Sequence, residues 1–156
     1  MVICLRKLEE KDAKISWKWR NDPEVWKQTG RKWNNVVTYD IERDWIKKVR
    51  KENDSIRFAI CVGDSKEYIG NIQLTNIKKG SAKFHLFIGD KKFWGKGIGS
   101  RATELLIEYA KTHTSIKEIE LLVMKENKAA LRVYEKSGFI IKNADNKNIS
   151  MIYKLE

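Results

Sequence analysis

Between residues 90 and 100 the chain reads Asp90-Lys91-Lys92-Phe93-Trp94-Gly95-Lys96-Gly97-Ile98-Gly99-Ser100. Glycines at alternate positions let a backbone turn tightly and approach a ligand with no Cβ in the way. An apolar run, Phe84-His85-Leu86-Phe87-Ile88, precedes the segment and reads as a strand, and an amphipathic helix follows it. The first turn of a helix offers unpaired N–H groups and the positive end of a dipole, which together seat a phosphate or pyrophosphate. Lys91, Lys92 and Lys96 add positive charge. The chemistry of this stretch is that of holding a phosphorylated cofactor.

Several nucleotide-binding folds use such a turn, so its setting matters. A dinucleotide-binding βαβ unit needs the turn early, an acidic residue about 20 residues on, and a second half. Here the turn lies past the middle; Glu118 and Glu120 sit near the right offset, but no second half follows. The P-loop spacing is absent as well. A second stretch carries more information. Ile119-Glu120-Leu121-Leu122-Val123-Met124 reads as a strand and leads into Asn127 to Phe139, a helix with Asn127 as a natural N-cap and Gly138 where a C-cap is expected. Ala130, Leu131 and Tyr134 share one face of it.

The elements that must position these residues follow from periodicity. Strands are expected over 2–8, 57–62, 68–77, 82–88, 139–142 and 149–155, in addition to the one at 119–124. Helices are expected over 12–20, 23–29, 39–51 and 100–113, with Pro23 suited to a first helical position. Ile41, Trp45, Ile46 and Val49 line one face of the third of these, and Ala102, Leu105, Leu106, Tyr109 and Ala110 one face of the fourth. The pattern predicts an α/β (α+β) fold of three layers. Its central sheet is mixed and mostly antiparallel, with six to seven strands, in a single domain over residues 1–156.

The Gly-rich segment and the Asn127 to Phe139 helix, at this separation, closely resemble the GNAT superfamily of acetyl-CoA-dependent N-acetyltransferases. The Trp94-Gly95-Lys96-Gly97 form and the early Trp19-Arg20-Asn21-Asp22-Pro23-Glu24-Val25 resemble its branch of ribosomal-protein amino-terminal acetyltransferases. That branch also contains aminoglycoside and nucleotide-aminosugar acetyltransferases. The resemblance implies acetyl-CoA as cosubstrate, without a metal, and a pyrophosphate held by the backbone of Gly95, Lys96, Gly97, Ile98, Gly99 and Ser100, with Lys92, Phe93 and Trp94 beside it. It implies a pantetheine arm paired like a strand along Leu86, Phe87 and Ile88, where a backbone N–H would polarise the thioester carbonyl. Asn127 matches the asparagine that contacts this arm, with helix capping as its other use, and Ala130 lies beside it. Tyr134 matches the tyrosine that protonates the departing thiolate, with core packing as its other use.

Relatives often carry Glu at the start of the strand before the Gly-rich turn, where this chain has Lys83, a cation that cannot take up a proton. His85, two residues on and on the same strand face, carries an imidazole, a side-chain type suited to proton uptake. Glu120 on the next strand is a comparable base, and proton loss through ordered water is a third route. Arg101 stands where close relatives tend to have Glu directly after the turn. In this branch the acceptor site is lined by the N-terminal helices and the third strand, which points to Arg20, Asn21, Asp22, Trp26, Asn71 and Gln73. Asp22 would pair with an acceptor ammonium group or cap a helix.

The chain has 156 residues, long enough for a full core, and carries no apolar run of 18 residues. Its N-terminus is unlike a signal peptide, and Cys4 and Cys61, both in expected strands, read as buried reduced thiols of a cytoplasmic protein. The 32 Lys and Arg against 21 Asp and Glu give a net charge of +11. This favours anionic ligands, and an acceptor bearing phosphate or sitting near RNA over a polycationic one. Trp17, Trp19, Trp26, Trp33, Trp45 and Trp94 fall mostly in expected helices and loops, so core and pocket packing is their expected use. The reading is an N-acetyltransferase acting on a primary amine of an aminosugar, a nucleotide-linked aminosugar or a protein amino terminus, as a monomer or homodimer. A silent acyl-CoA-binding protein and a basic RNA-associated module are the alternatives.

Overall fold

In the computed structural model, which describes residues 1–27 and 35–155, a seven-stranded sheet runs in the order β1-β2-β3-β4-β5-β7-β6. The strands are β1 (Ile3–Lys7), β2 (Ile56–Val62), β3 (Glu67–Lys78), β4 (Ser81–Ile88), β5 (Glu118–Met124), β6 (Ile140–Ala144) and β7 (Asn148–Lys154). All neighbours are antiparallel except β4 and β5, which run parallel. That single parallel pair requires a long crossover, supplied by helix α4 (Ile98–His113). Before the sheet's centre come α1 (Ala13–Arg20), α2 (Pro23–Lys27) and α3 (Tyr39–Val49), and α5 (Lys128–Ser137) follows β5.

The alternation of each strand sends side chains to two cores, one per face. Phe58, Ile60, Val62, Ile72, Leu74 and Phe84 point towards α4 and α5, where they meet Ile98, Leu106, Leu131 and Tyr134. Ala59, Cys61 and Phe87 point to the other face and pack against Ala13, Trp19, Val25, Trp45 and Ile46. Strand β2 is therefore apolar at every position from Phe58 to Val62, because both of its faces are covered. Each fully buried Leu or Ile in these cores contributes about 1.5–3 kcal/mol of transfer free energy.

The N-terminal helices are locked by buried ion pairs. The Arg6 guanidinium grips Asp12 through two bonds of 2.8 and 2.7 Å, and Asp12 also accepts the Glu9 backbone N–H at 2.8 Å. This turns residues Glu10–Asp12 into a 3₁₀ turn, so α1 begins at Ala13 rather than at Asp12. Glu42 on α3 accepts the Ser16 hydroxyl at 2.7 Å and the Arg20 Nε at 3.2 Å, which ties α1 to α3.

Other boundaries shift by a few residues for local reasons. Helix α4 starts at Ile98, not Ser100, because Gly97 adopts φ +78° as its N-cap. Lys91–Phe93 form a short 3₁₀ turn under an Asp90 side chain that accepts the Lys92 N–H. Leu105 and Tyr109 are only half-buried, while Thr103 and Ile107 are fully enclosed. Cys61 is buried, and its register partner Cys4 is half-buried rather than enclosed; both are free thiols. Trp17, Trp26, Trp45 and Trp94 are half-buried and Trp19 is buried. Trp33 and the expected end of the second helix at 28–29 lie outside the described residues.

Candidate active site

Strands β4 and β5 are paired only at their starts, from Ser81 opposite Glu118 to Lys83 opposite Glu120. Beyond that point β4 stays bonded to β3 as far as Ile88, and β5 stays bonded to β7 as far as Met124. The two therefore diverge, leaving the β5-facing edge of residues 84–88 without a neighbouring strand. A cleft of about 1490 Å³ fills this opening and extends to both sheet faces. It is lined by Leu86, Phe87, Ile88, Phe93, Trp94, Gly95, Lys96, Gly97, Ile98, Gly99 and Ser100 at one end, and by Asn127, Ala130 and Tyr134 across from them.

The turn is built for close approach. Gly95 and Gly97 have φ of +72° and +78°, a region that costs a side-chain-bearing residue about 1–2 kcal/mol. The Trp94 indole donates to the Ile88 carbonyl at 2.8 Å and pins the turn to the end of β4. Lys91 reaches Asp22 at 3.0 Å and Glu24 at 3.4 Å, which fastens the same turn to α2. The free N–H groups at the start of α4 open into the cleft beside Lys96, a fitting cradle for the phosphates of CoA.

Opposite the turn, Asn127 caps α5 by accepting the Ala130 N–H at 3.1 Å through Oδ1, so its amide nitrogen points its donors elsewhere. Tyr134 is 8% exposed and sits edge-on to Phe84 and Phe139. Burial pushes its phenol well above the ordinary value, so the hydroxyl keeps its proton throughout the neutral range.

At the vertex where the strands part, Glu120 faces Lys83 at 3.3 Å and Lys142 at 3.5 Å, and accepts the Ser150 hydroxyl at 3.1 Å. Partial burial pushes this carboxyl up, but the Ser150 bond and the Lys83 and Lys142 charges outweigh it, and it titrates below the ordinary range. Lys83 and His85 are exposed on the α1/α3 face of β4. His85 lies opposite Gln73 on β3, and Gln73 lies opposite Arg57 on β2, so three polar side chains cross the sheet in one row.

Of the residues expected at the acceptor site, Arg20, Trp26 and Gln73 line the cleft. Asp22, Asn21 and Asn71 do not, and neither does Lys92, which was expected beside the pyrophosphate. Asp22 accepts the Glu24 N–H at 3.0 Å and pairs with Lys91. Asn21 straps Val37 through two bonds, of 2.7 and 2.8 Å. Asn71 is buried against the Tyr68 hydroxyl, and Lys92 pairs with Glu67 at 3.2 Å. Arg101 also stands outside, paired with Glu104 one helical turn on.

The structure adds cleft residues that the sequence left unmarked: Trp45, Arg57, Arg132, Lys136, Lys147 and Ser150. Arg57 was legible in principle, since strand alternation puts it on the same face as Ala59 and Cys61. Among the described residues, seven basic side chains line the cleft (Arg20, Arg57, Lys83, Lys96, Arg132, Lys136 and Lys147) and one acidic side chain, Glu120. Among these residues too, no three His, Cys, Asp or Glu side chains are grouped to hold a metal, and no helix is long and apolar enough to cross a membrane.

Comparison with known proteins bears on this geometry. The acetyltransferase (GNAT) domain family matches residues 3–140. An uncharacterised N-acetyltransferase, p20, of Bacillus licheniformis is 30% identical over 145 residues, covering 88% of this chain and 78% of its own. The acetyltransferase PseH of Campylobacter jejuni is 25% identical over 138 residues, covering 88% and 83%. A spermidine N-acetyltransferase of Vibrio cholerae, solved with CoA and spermine, superposes with a TM-score of 0.86 over 97% of this chain and 95% of its own, at 22% identity.

Proposed function

The chain belongs to the GNAT acetyltransferase family, an acetyl-CoA-dependent N-acetyltransferase, and from that premise we propose that its acceptor is a primary amine carried on an anionic molecule. An aminosugar phosphate or nucleotide-linked aminosugar fits this description, and a protein amino terminus with acidic neighbours is the second form. The observation that carries the reading is the charge of the cleft. Its single carboxylate, Glu120, is already held between Lys83 and Lys142, so no free carboxylate among the described lining residues receives a polycation such as the spermine bound by the Vibrio relative. Like charges facing each other in a partly desolvated cleft repel, and opposite charges draw the acceptor in.

Bound acetyl-CoA supplies an acyl group activated as a thioester. The rest is assigned to side chains and backbone of this chain. The amides from Gly95 to Ser100 hold the pyrophosphate, and the open edge of Leu86 to Ile88 pairs with the pantetheine arm, aided by the Asn127 amide. A backbone N–H on that edge stabilises charge on the carbonyl oxygen. Tyr134 carries the proton that the departing sulfur takes up, which its raised phenol pKa keeps in place. His85, exposed in the cleft, is better suited than Glu120 to accept the amine's proton, because Glu120 is held in its weakly basic ionised form.

The test is titration with acetyl-CoA, then thiol release over a panel of glucosamine, glucosamine 1-phosphate, an acidic peptide and spermidine. Micromolar acetyl-CoA binding and faster turnover of the anionic amines are expected. A preference for spermidine would overturn the reading, and binding without turnover of any amine would favour a silent CoA-binding protein.

A further inference from the structure

On the α1/α3 face the cleft ends in an arrangement that neither CoA binding nor proton transfer uses. Two guanidiniums share the Trp45 indole, with Arg20 Cζ at 4.8 Å and Arg57 Cζ at 5.4 Å from its ring centre. Arg20 also lies 5.2 Å from the Phe87 ring. A guanidinium over an aromatic face is attracted by the ring's quadrupole, which holds the cation in place.

Two cations close together repel, and the fold offsets this from behind. Glu42 holds Arg20 at 3.2 Å and Glu52 holds Arg57 at 3.1 Å. Neither carboxylate lines the cleft. Glu52 takes only the Nη2 side of Arg57; the buried Arg57 Nε has no hydrogen-bond partner. A buried charged donor without an acceptor is unusual, and a guanidinium fork matches an oxyanion through two parallel bonds.

Resting on the anionic-acceptor reading above, we propose that Arg57, over the Trp45 ring that Arg20 shares, is the subsite that binds the acceptor's phosphate and so decides which amines are acetylated. Geometry sets the size of that acceptor. Arg57 and His85 are two strands apart in one register row, which is roughly 10 Å between backbones at about 4.8 Å per strand. The acceptor's phosphate and its reacting nitrogen are then to be separated by no more than about that distance, which admits a single sugar ring between them.

The experiment is calorimetric titration of the CoA-saturated protein, whose phosphate cradle at the Gly-rich turn is then filled, with glucosamine 1-phosphate and with glucosamine. The phosphorylated sugar is expected to bind at least about 10-fold tighter, the gain of a charge-assisted hydrogen bond. In Arg57→Gln that advantage is expected to vanish, and Arg57→Lys, which keeps the charge but not the fork, retains part of it. CoA affinity, read in a separate titration of each CoA-free variant, reports that it is folded; if Arg57→Gln is not, Arg57→Lys alone decides by a smaller loss in the same direction. Equal binding of the two sugars by the unaltered protein, or an advantage that survives both substitutions, overturns the subsite. The functional reading fails separately: phosphate-dependent binding that persists while phosphorylated amines are never acetylated would sink the reaction and leave the subsite standing.

Discussion

In the proposed mechanism Tyr134 serves packing and chemistry together. Its ring is held edge-on by Phe84 and Phe139, which sets the hydroxyl's position without a polar partner to compete for its proton. Burial makes the phenol a weaker acid than in water, and that suits a donor needed only when a thiolate forms. Tyr134→Phe removes one oxygen and no packing surface. The expected outcome is unchanged thermal stability and acetyl-CoA affinity, with kcat lowered by about 10²-fold or more, the range of a single general acid. Steady-state kinetics alongside calorimetry checks it, and an unaltered kcat would take Tyr134 out of the mechanism. Asn127 caps its helix, and the proposed contact with the CoA arm is compatible with this because capping occupies only Oδ1. For Asp22 the cap and the Lys91 pair account for the carboxylate, and it stands away from the cleft.

Among the elements, the strands and helices of the cofactor half were legible because their signals are local. Gly95 and Gly97 are required by positive φ, Asn127 and Gly138 mark the ends of α5, and apolar alternation places the strands. The proposed acceptor wall was less legible, since it depends on which strand lies beside which. Nothing in the spacing of Arg57, Gln73 and His85 announces that they form one row; register makes it so. Gly89 is a second case. A Cβ there would fall 2.0 Å from the Trp19 ring, so the end of β4 and helix α1 touch directly. Gly89→Ala must displace Trp19, whose ring centre lies 4.8 Å from that of Tyr68 and 6.1 Å from that of Phe87, and disturb both contacts. A destabilisation of about 1–3 kcal/mol is expected, the usual cost of overpacking, together with a higher KM for the acceptor. Urea unfolding and acceptor titration test this, and wild-type values in both would show that α1 moves freely on the sheet.

At the scale of the whole molecule the charge has two consequences, one legible in the composition and one not. A net charge of +11 pointed to anionic ligands, but only the folded chain shows that, among the described residues, seven basic side chains line the cleft against one carboxylate, while other carboxylates are held in ion pairs and hydrogen bonds elsewhere. Those pairs govern stability in acid. Asp22 is held below the usual carboxylate range chiefly by the Lys91 hydrogen bond, and Glu52 chiefly by that of Arg57. Asp145 is lowered by the backbone N–H groups of Asn148 and Lys147, and Glu120 by Ser150 and two lysines against its burial. A group whose pKa is depressed in the native state binds protons more readily when unfolded. Its contribution is therefore complete above the ordinary values of 3.8 for Asp and 4.5 for Glu, and is lost as the pH falls through them towards the native values. The melting temperature should hold level from pH 7 to about 5 and then drop steeply towards pH 3. Lys91→Gln removes the main cause of the Asp22 shift while leaving the cleft lining in place, so its melting temperature should start lower at neutral pH and converge on the wild type in acid. Parallel melting curves across the whole range would mean that the Lys91–Asp22 pair, although well formed at 3.0 Å, does not fasten the Gly-rich turn to α2.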